Sequence, residues 1–177
     1  MQKVFVVADD SRNGAGMRLR FGFCPSPFGL AVAIFSDRGL CGLGFGEGKT
    51  ALLADMKARW PKATFVRDDT PALPEIFAGK NDVPLHLIGT PWQVRVWRTL
   101  LDIPAGRTVS YGALAKKLSS SPRAVGRAVG KNPVAWFVPC HRVIGAGGKL
   151  TGYHWGLERK RAMLAAEGCN RFDTELR

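Results

Sequence analysis

Cys140 sits in the run Phe137-Val138-Pro139-Cys140-His141-Arg142-Val143-Ile144, a thiol between two short apolar stretches with a proline before it and a histidine and an arginine after it. Only a thiolate is a competent nucleophile, and free cysteine, with a pKa of about 8.5, is mostly thiol at neutral pH. A neighbour must accept its proton or supply positive charge, and His141 and Arg142 are groups of those types. A lone cysteine also serves as a small apolar filler of a buried strand. Here the Pro-x-His-Arg surroundings favour the reactive reading.

A second cluster lies just upstream. Arg123-Ala124-Val125-Gly126 is followed at once by Arg127-Ala128-Val129-Gly130 and then Lys131. On a helix this four-residue period puts Arg123, Arg127 and Lys131 along one stripe and Val125 and Val129 along another, so one side can face phosphates while the other packs. A glycine inside a helix costs about 1 kcal/mol relative to alanine, so Gly126 and Gly130 imply that something approaches this backbone closely. Tight helix packing would use the same small residues. The charge distribution points outward: the net charge is +12, with 11 Lys and Arg against 9 Asp and Glu over residues 1–89 but 15 against 5 over residues 90–177. A field of one sign on half a chain attracts polyanions, which makes nucleic acid the leading partner class. An anionic membrane ranks second, because no basic segment carries a convincing apolar face.

The elements that must position these residues are legible in outline. Residues 17–23 alternate loosely, residues 30–35 form an apolar run, and Ser36-Asp37-Arg38-Gly39 supplies turn chemistry before residues 40–45, which predicts a small antiparallel sheet containing a hairpin. Leu52, Leu53, Met56 and Trp60 recur at helical spacing and stop before Pro61. From there to Gly89 the chain is rich in Pro and Asp, with Pro71, Pro74 and Pro84, and reads as a connection with little regular structure; the domain division is placed here, giving 1–85 and 86–177. Thr90 and Pro91 then cap and open a helix through Val94, Trp97, Leu100 and Leu101. A short helix from Ser110 to Leu118 and another from Ser121-Pro122 to about Lys131, separated by Ser119-Ser120, predict a helix-turn-helix. A last helix over 157–167 stops at Gly168.

The remaining features exclude several classes. No apolar run approaches the roughly 18 residues that span a bilayer, and the apolar start of the chain meets Asp9-Asp10 too soon to be a secretion signal. A cytoplasmic, monomeric protein is expected. Cys24, Cys41, Cys140 and Cys169 show no C-x-x-C or other zinc spacing, so neither a disulfide scaffold nor a metal is expected, a scattered site of Cys24, Cys41 and His86 being the weaker alternative, and Cys24, Cys41 and Cys169 read as structural. His86 reads as a loop residue without a role.

Taken together, Pro139-Cys140-His141-Arg142-Val143, Arg123-Ala124-Val125-Gly126, Asn132-Pro133, Gly152-Tyr153 and Glu167-Gly168, with Gly89-Thr90-Pro91, Val96-Trp97 and Ser110-Tyr111-Gly112, resemble the O6-alkylguanine-DNA alkyltransferases, also called methylated-DNA–protein-cysteine methyltransferases. The likeness is close over residues 89–169. It implies an α/β fold: a ribonuclease H-like domain with an antiparallel sheet, then a helical winged-helix domain. It implies repair of double-stranded DNA containing O6-alkylguanine by direct reversal without a cofactor, with O4-alkylthymine as a second candidate substrate. The damaged base is flipped out and its alkyl group moves to Cys140. By the same likeness His141 activates the thiol through a bridging water and is polarised by Glu167. Asn132 braces the active-site turn, and Tyr111 hydrogen-bonds the departing guanine. Arg123 fills the gap in the duplex, Ala124, Gly126 and Ala128 let the helix enter the minor groove, and Arg127 and Lys131 hold phosphates. Tyr153 and the backbone near Val143 and His154 line the base pocket, and Trp155 is expected to join them.

A water relay suits an extended segment, in which neighbouring side chains point to opposite faces and Cys140 and His141 need not touch. The chain departs from the family where Ser119-Ser120-Ser121-Pro122 precedes the recognition helix and where His154-Trp155 follows Tyr153; Trp155 is expected to narrow the pocket in favour of methyl over benzyl groups. Two other readings of the same residues stay open. One is a Cys-His-Glu hydrolase; the other is a DNA-binding regulator that performs no chemistry.

Overall fold

The turn residues Ser36-Asp37-Arg38-Gly39 join β3 (Gly29–Ser36) to β4 (Gly39–Gly46), which pair antiparallel with Ser36 opposite Gly39. The Ser36 hydroxyl fixes the turn by accepting from Arg38 N at 3.1 Å. β2 (Arg18–Ser26) pairs antiparallel with the other side of β3, completing the expected sheet centre. This is a computed structural model, and it describes residues 4–7, 13–69, 77 and 83–169. Two units divide between Val94 and Arg95.

In the first unit the sheet has six strands, in the order β1 (Val4–Val7), β6 (Leu85–Ile88), β4, β3, β2, β5 (Thr64–Arg67). The flanking strands pair parallel, β5 on β2 and β1 on β6. Two of these strands lie in the stretch 61–89 that reads as an irregular connection. Leu85-His86-Leu87-Ile88 is buried throughout, and such a strand shows no alternation, so it escapes a search for a period of two. The division expected at 85/86 would cut the start of this strand. Pro71 and Pro74 lie outside the described residues. His86 is likewise a strand residue and not a loop one: it is buried, with Nδ1 2.6 Å from Ser36 Oγ. α1 (Lys49–Lys57) buries Leu52 and Met56.

α2 (Pro91–Leu100) crosses the division. It starts with a reciprocal cap in which Thr90 Oγ1 accepts from Gln93 N at 3.2 Å and Gln93 Oε1 accepts from Thr90 N at 2.9 Å. In the second unit β7 (Val109–Ser110) leads into α3 (Tyr111–Lys117) and α4 (Pro122–Gly130), each opened by a serine hydroxyl that accepts from a first-turn amide. The turn between them holds Ser119 at φ +51° and closes with Ser120 N on Ala115 O at 2.9 Å, so the expected helix-turn-helix is present. α4 buries Val125, Ala128 and Val129. Burying each valine stabilises by about 1.5–3 kcal/mol, which offsets the roughly 1 kcal/mol cost of each glycine. Trp97 Nε1 on α2 donates to Ala128 O at 2.8 Å and fastens the helix from behind. Ala128 is therefore a core residue and not one facing a groove. β8 (Val143–Ile144) pairs parallel with β7, and α5 (Leu157–Ala166) ends at Glu167 with Gly168 at φ +76°.

Candidate active site and nucleic-acid interface

Pro139 directs the chain into a single 3-10 turn over Cys140–Arg142, and the segment is not extended as the sequence suggests. Arg142 N bonds Pro139 O at 3.0 Å, and Val143 N bonds Cys140 O before β8 begins. Asn132 holds the approach to this turn. Buried, it donates from Nδ2 to Val138 O at 2.9 Å and accepts at Oδ1 from Val134 N at 3.0 Å.

Cys140 is 6% exposed. Burial pushes its thiol up; the Asn132 side chain, the Tyr153 hydroxyl and the Lys160 charge pull the other way. The Tyr153 hydroxyl is 3.9 Å from Sγ and itself donates to Met163 Sδ at 3.2 Å. Burial and the Cys140 charge also push both Tyr111 and Tyr153 up, so both phenols keep their protons.

His141 is fully buried, and no hydrogen bond joins its ring to Sγ. Its Nε2 lies 2.9 Å from Glu167 Oε1, while Nδ1 has no partner among the described residues. Burial, the largest influence, lowers the affinity of the imidazole for a proton, against the pull of Glu167. The Glu167 carboxylate is opposed by burial, yet the bonds from His141 and Arg142 bring it down to about 2. An ionised carboxylate only accepts, so the neutral imidazole carries its hydrogen on Nε2 and leaves Nδ1 bare, with its lone pair free to accept. Gly106, at φ +75°, brings its amide to 3.4 Å from Glu167 Oε2, and a Cβ there would stand 3.0 Å from Glu167 O.

Arg142 does not serve the thiol as its sequence position suggests. Its guanidinium grips Glu167 with Nε at 3.0 Å from Oε2 and Nη2 at 2.6 Å from Oε1, and Nη1 donates to Ile103 O. The cation that acts on Cys140 is Lys160. It is fully buried and donates from Nζ to Val143 O at 2.6 Å and Thr151 O at 3.2 Å, with burial bringing it down to about 8. Lys160, Met163 and Leu164 all face inward on α5, an i, i+3, i+4 pattern that would have marked this lysine as buried.

In front of Cys140 opens a recess of about 300 Å³, part of it open to solvent, lined by Tyr111, Val129, Gly130, Asn132 and Cys140 and by Gly152, Tyr153, His154 and Trp155. Trp155 is buried with the His154 ring edge-on at 4.4 Å. Val143 is the exception among the expected pocket residues: its side chain is buried, its carbonyl is taken by Lys160, and it does not line the recess.

On α4, Arg123, Arg127 and Lys131 are exposed, as the four-residue stripe requires, and Ala124 and Gly126 are half-buried. A Cβ at Gly126 would meet the Tyr111 ring at an ordinary 3.7 Å, and one at Gly130 would meet nothing within 4 Å. No neighbour inside the described protein requires these glycines.

The second unit thus defines a class: a helix-turn-helix protein with a buried cysteine, a histidine–glutamate pair in the same turn region and a basic, small-residue helix. Residues 91–169 match the family model described as 6-O-methylguanine DNA methyltransferase, DNA binding domain. A methylated-DNA–protein-cysteine methyltransferase of Methanosarcina acetivorans is 41% identical over 149 residues, covering 81% of this chain and 94% of the relative. The protein of that name from Mycobacterium tuberculosis is 58% identical over 96 residues, 51% of this chain; the match spans 58% of that relative's length. The crystal structure of Mycobacterium tuberculosis OGT in complex with DNA superposes at a TM-score of 0.66 with 39% identity, over 85% of this chain and 92% of the other. The Pyrococcus kodakaraensis O6-methylguanine-DNA methyltransferase does so at 0.67 with 25% identity, over 85% and 99%. The chain belongs to the methylated-DNA–protein-cysteine methyltransferase family.

Proposed function

We propose that the protein repairs DNA by direct reversal, taking the alkyl group of O6-alkylguanine onto Cys140 in one irreversible event, with O4-alkylthymine as a second substrate. The carrying observation is the ordered set Cys140, His141 and Glu167, in which the ionised glutamate holds Nε2–H and leaves Nδ1 as the proton acceptor. The thiol proton passes to Nδ1 through a bridging water. Sulfur attacks the alkyl carbon, the carbon–O6 bond breaks, and its electron pair stays on the guanine. The guanine takes up a proton with help from the Tyr111 hydroxyl, so the proton lost by the thiol is balanced by one gained on the base. The resulting thioether does not hydrolyse, so each molecule acts once and no cofactor is needed. A hydrolase triad would place the base directly on the nucleophile, and here no hydrogen bond joins Cys140 to the imidazole.

The target base must leave the stack to reach the recess, which costs a few kcal/mol and less for a damaged pair. Arg123 replaces it in the duplex, Ala124 and Gly126 admit α4 to the minor groove, and Arg127 and Lys131 bind phosphates. Glycines that no internal neighbour requires support this reading. The first unit serves as structural support, and the protein acts as a cytoplasmic monomer. Mass spectrometry after incubation with an O6-methylguanine duplex tests the proposal. One methyl group on Cys140 is expected, with none on Cys140→Ala; an unchanged mass, or the added mass on another residue, overturns it.

A further inference from the structure

Trp136 takes no part in the chemistry above, yet its ring lies nearly parallel to that of His141. It lies in the turn braced by Asn132, at φ +71°, a left-handed conformation that a bulky residue adopts only where its surroundings impose it. Its indole stacks on the His141 imidazole with planes 12° apart and centroids 5.4 Å apart. His141 is thereby fixed on two sides: its Nε2 edge by Glu167 and one face by an aromatic ring.

We propose that Trp136 is a positioning residue for the transfer step: its ring holds the imidazole in the plane that puts Nε2 on Glu167, and its electron-rich face stabilises the imidazolium formed when Cys140 gives up its proton. The inference rests on the alkyl-transfer reading. A cation over an indole face is attracted by the ring quadrupole, and the attraction grows away from bulk solvent, as at the fully buried His141. Three other charged groups act on the ring. Glu167 favours the imidazolium, while Arg142 and Lys160 oppose it. With burial and two cations against protonation, a neutral surface that favours positive charge supports the step without adding a competing carboxylate.

The test pairs Trp136→Phe with Trp136→Leu in the full chain. Transfer is read in single turnover across pH, and His141 is titrated directly by NMR. Leu fills space without a π-face. It is expected to lower the plateau rate about threefold to tenfold, to move the His141 titration and the acid limb of the rate profile to lower pH, and to be largely rescued by Phe. Fluorinated tryptophan incorporated into the wild-type chain weakens the ring face at nearly constant shape and is expected to move the titration in the same direction, which keeps the proposal testable if the leucine variant does not fold. An unmoved His141 titration in the fluorinated protein, or equal losses in Phe and Leu variants with the profile unshifted, overturns it. A titration that follows the ring in a protein that transfers no alkyl group leaves the positioning role standing and defeats the alkyl-transfer reading instead.

Discussion

His141 Nε2 lies 2.9 Å from Glu167 Oε1, and that contact decides which imidazole nitrogen carries the hydrogen and which is left bare. With the carboxylate held at about 2, it is ionised throughout the physiological range and must receive Nε2–H. Arg142 closes on the other side of the same carboxylate, so the pair is a buried three-member network whose parts do not act independently.

Glu167→Gln keeps the shape and removes the charge. Transfer should fall about a hundredfold as the imidazolium loses its counter-charge, and stability should fall by about 3 kcal/mol because the Arg142 guanidinium is left uncompensated. Single-turnover transfer and denaturant melts measure the two effects. The pH dependence has a definite sign: a depressed carboxyl contributes stability that is complete above its ordinary value and is lost as pH falls through about 2. The wild type should lose stability on acidification over that window, and the glutamine variant should lose less.

The thiol and the lysine make a second test. Burial raises Cys140 and Lys160 pulls it back, so Lys160→Met should slow transfer about tenfold at neutral pH and regain rate as pH rises. The acid limb of both proteins belongs to His141, which burial lowers; transfer should fail only below the ordinary histidine range, where Nδ1 becomes protonated. An acid limb centred above that range in the wild type would contradict this assignment.

The helices of the second unit were legible because their signals are local. Thr90-Pro91, Ser110 and Ser121-Pro122 cap helices through their own side chains, and each cap lies where the sequence places it. β6 was not legible, because Leu85-His86-Leu87-Ile88 is buried on both faces and carries no period. Arg142 was offered to the thiol and Lys160 was missed for a related reason. Adjacency in sequence suggested Arg142, whereas the 3-10 turn over Cys140–Arg142 carries that side chain to Glu167 and Ile103 and leaves the thiol to a lysine twenty residues on.

The exposed basic stripe separates positioning from chemistry. Arg127→Ala and Lys131→Ala should each weaken binding to any duplex and reduce the slope of log affinity against log salt by about 1. Arg123→Ala should bind undamaged duplex nearly as well as the wild type but transfer slowly, since its role begins when the base is everted. Fluorescence anisotropy across a salt series, beside single-turnover transfer, tells the two behaviours apart; equal salt slopes in all three variants would count against the phosphate assignment.

Trp155 bears on substrate size. Its ring is buried at right angles to the His154 ring on the wall of a recess of about 300 Å³, part of it open to solvent, that Cys140 and Tyr153 also line, so it is expected to limit the size of the alkyl group. The wild type should react with O6-methylguanine in DNA and only slowly with free O6-benzylguanine. Trp155→Ala removes a buried aromatic at a cost of about 3–5 kcal/mol, so Trp155→Leu is the better probe. It should accelerate inactivation by the benzyl compound while changing methyl transfer much less, because a methyl group does not reach the ring. Rapid inactivation of the wild type by free O6-benzylguanine would show that the indole moves aside and sets no limit on the alkyl group.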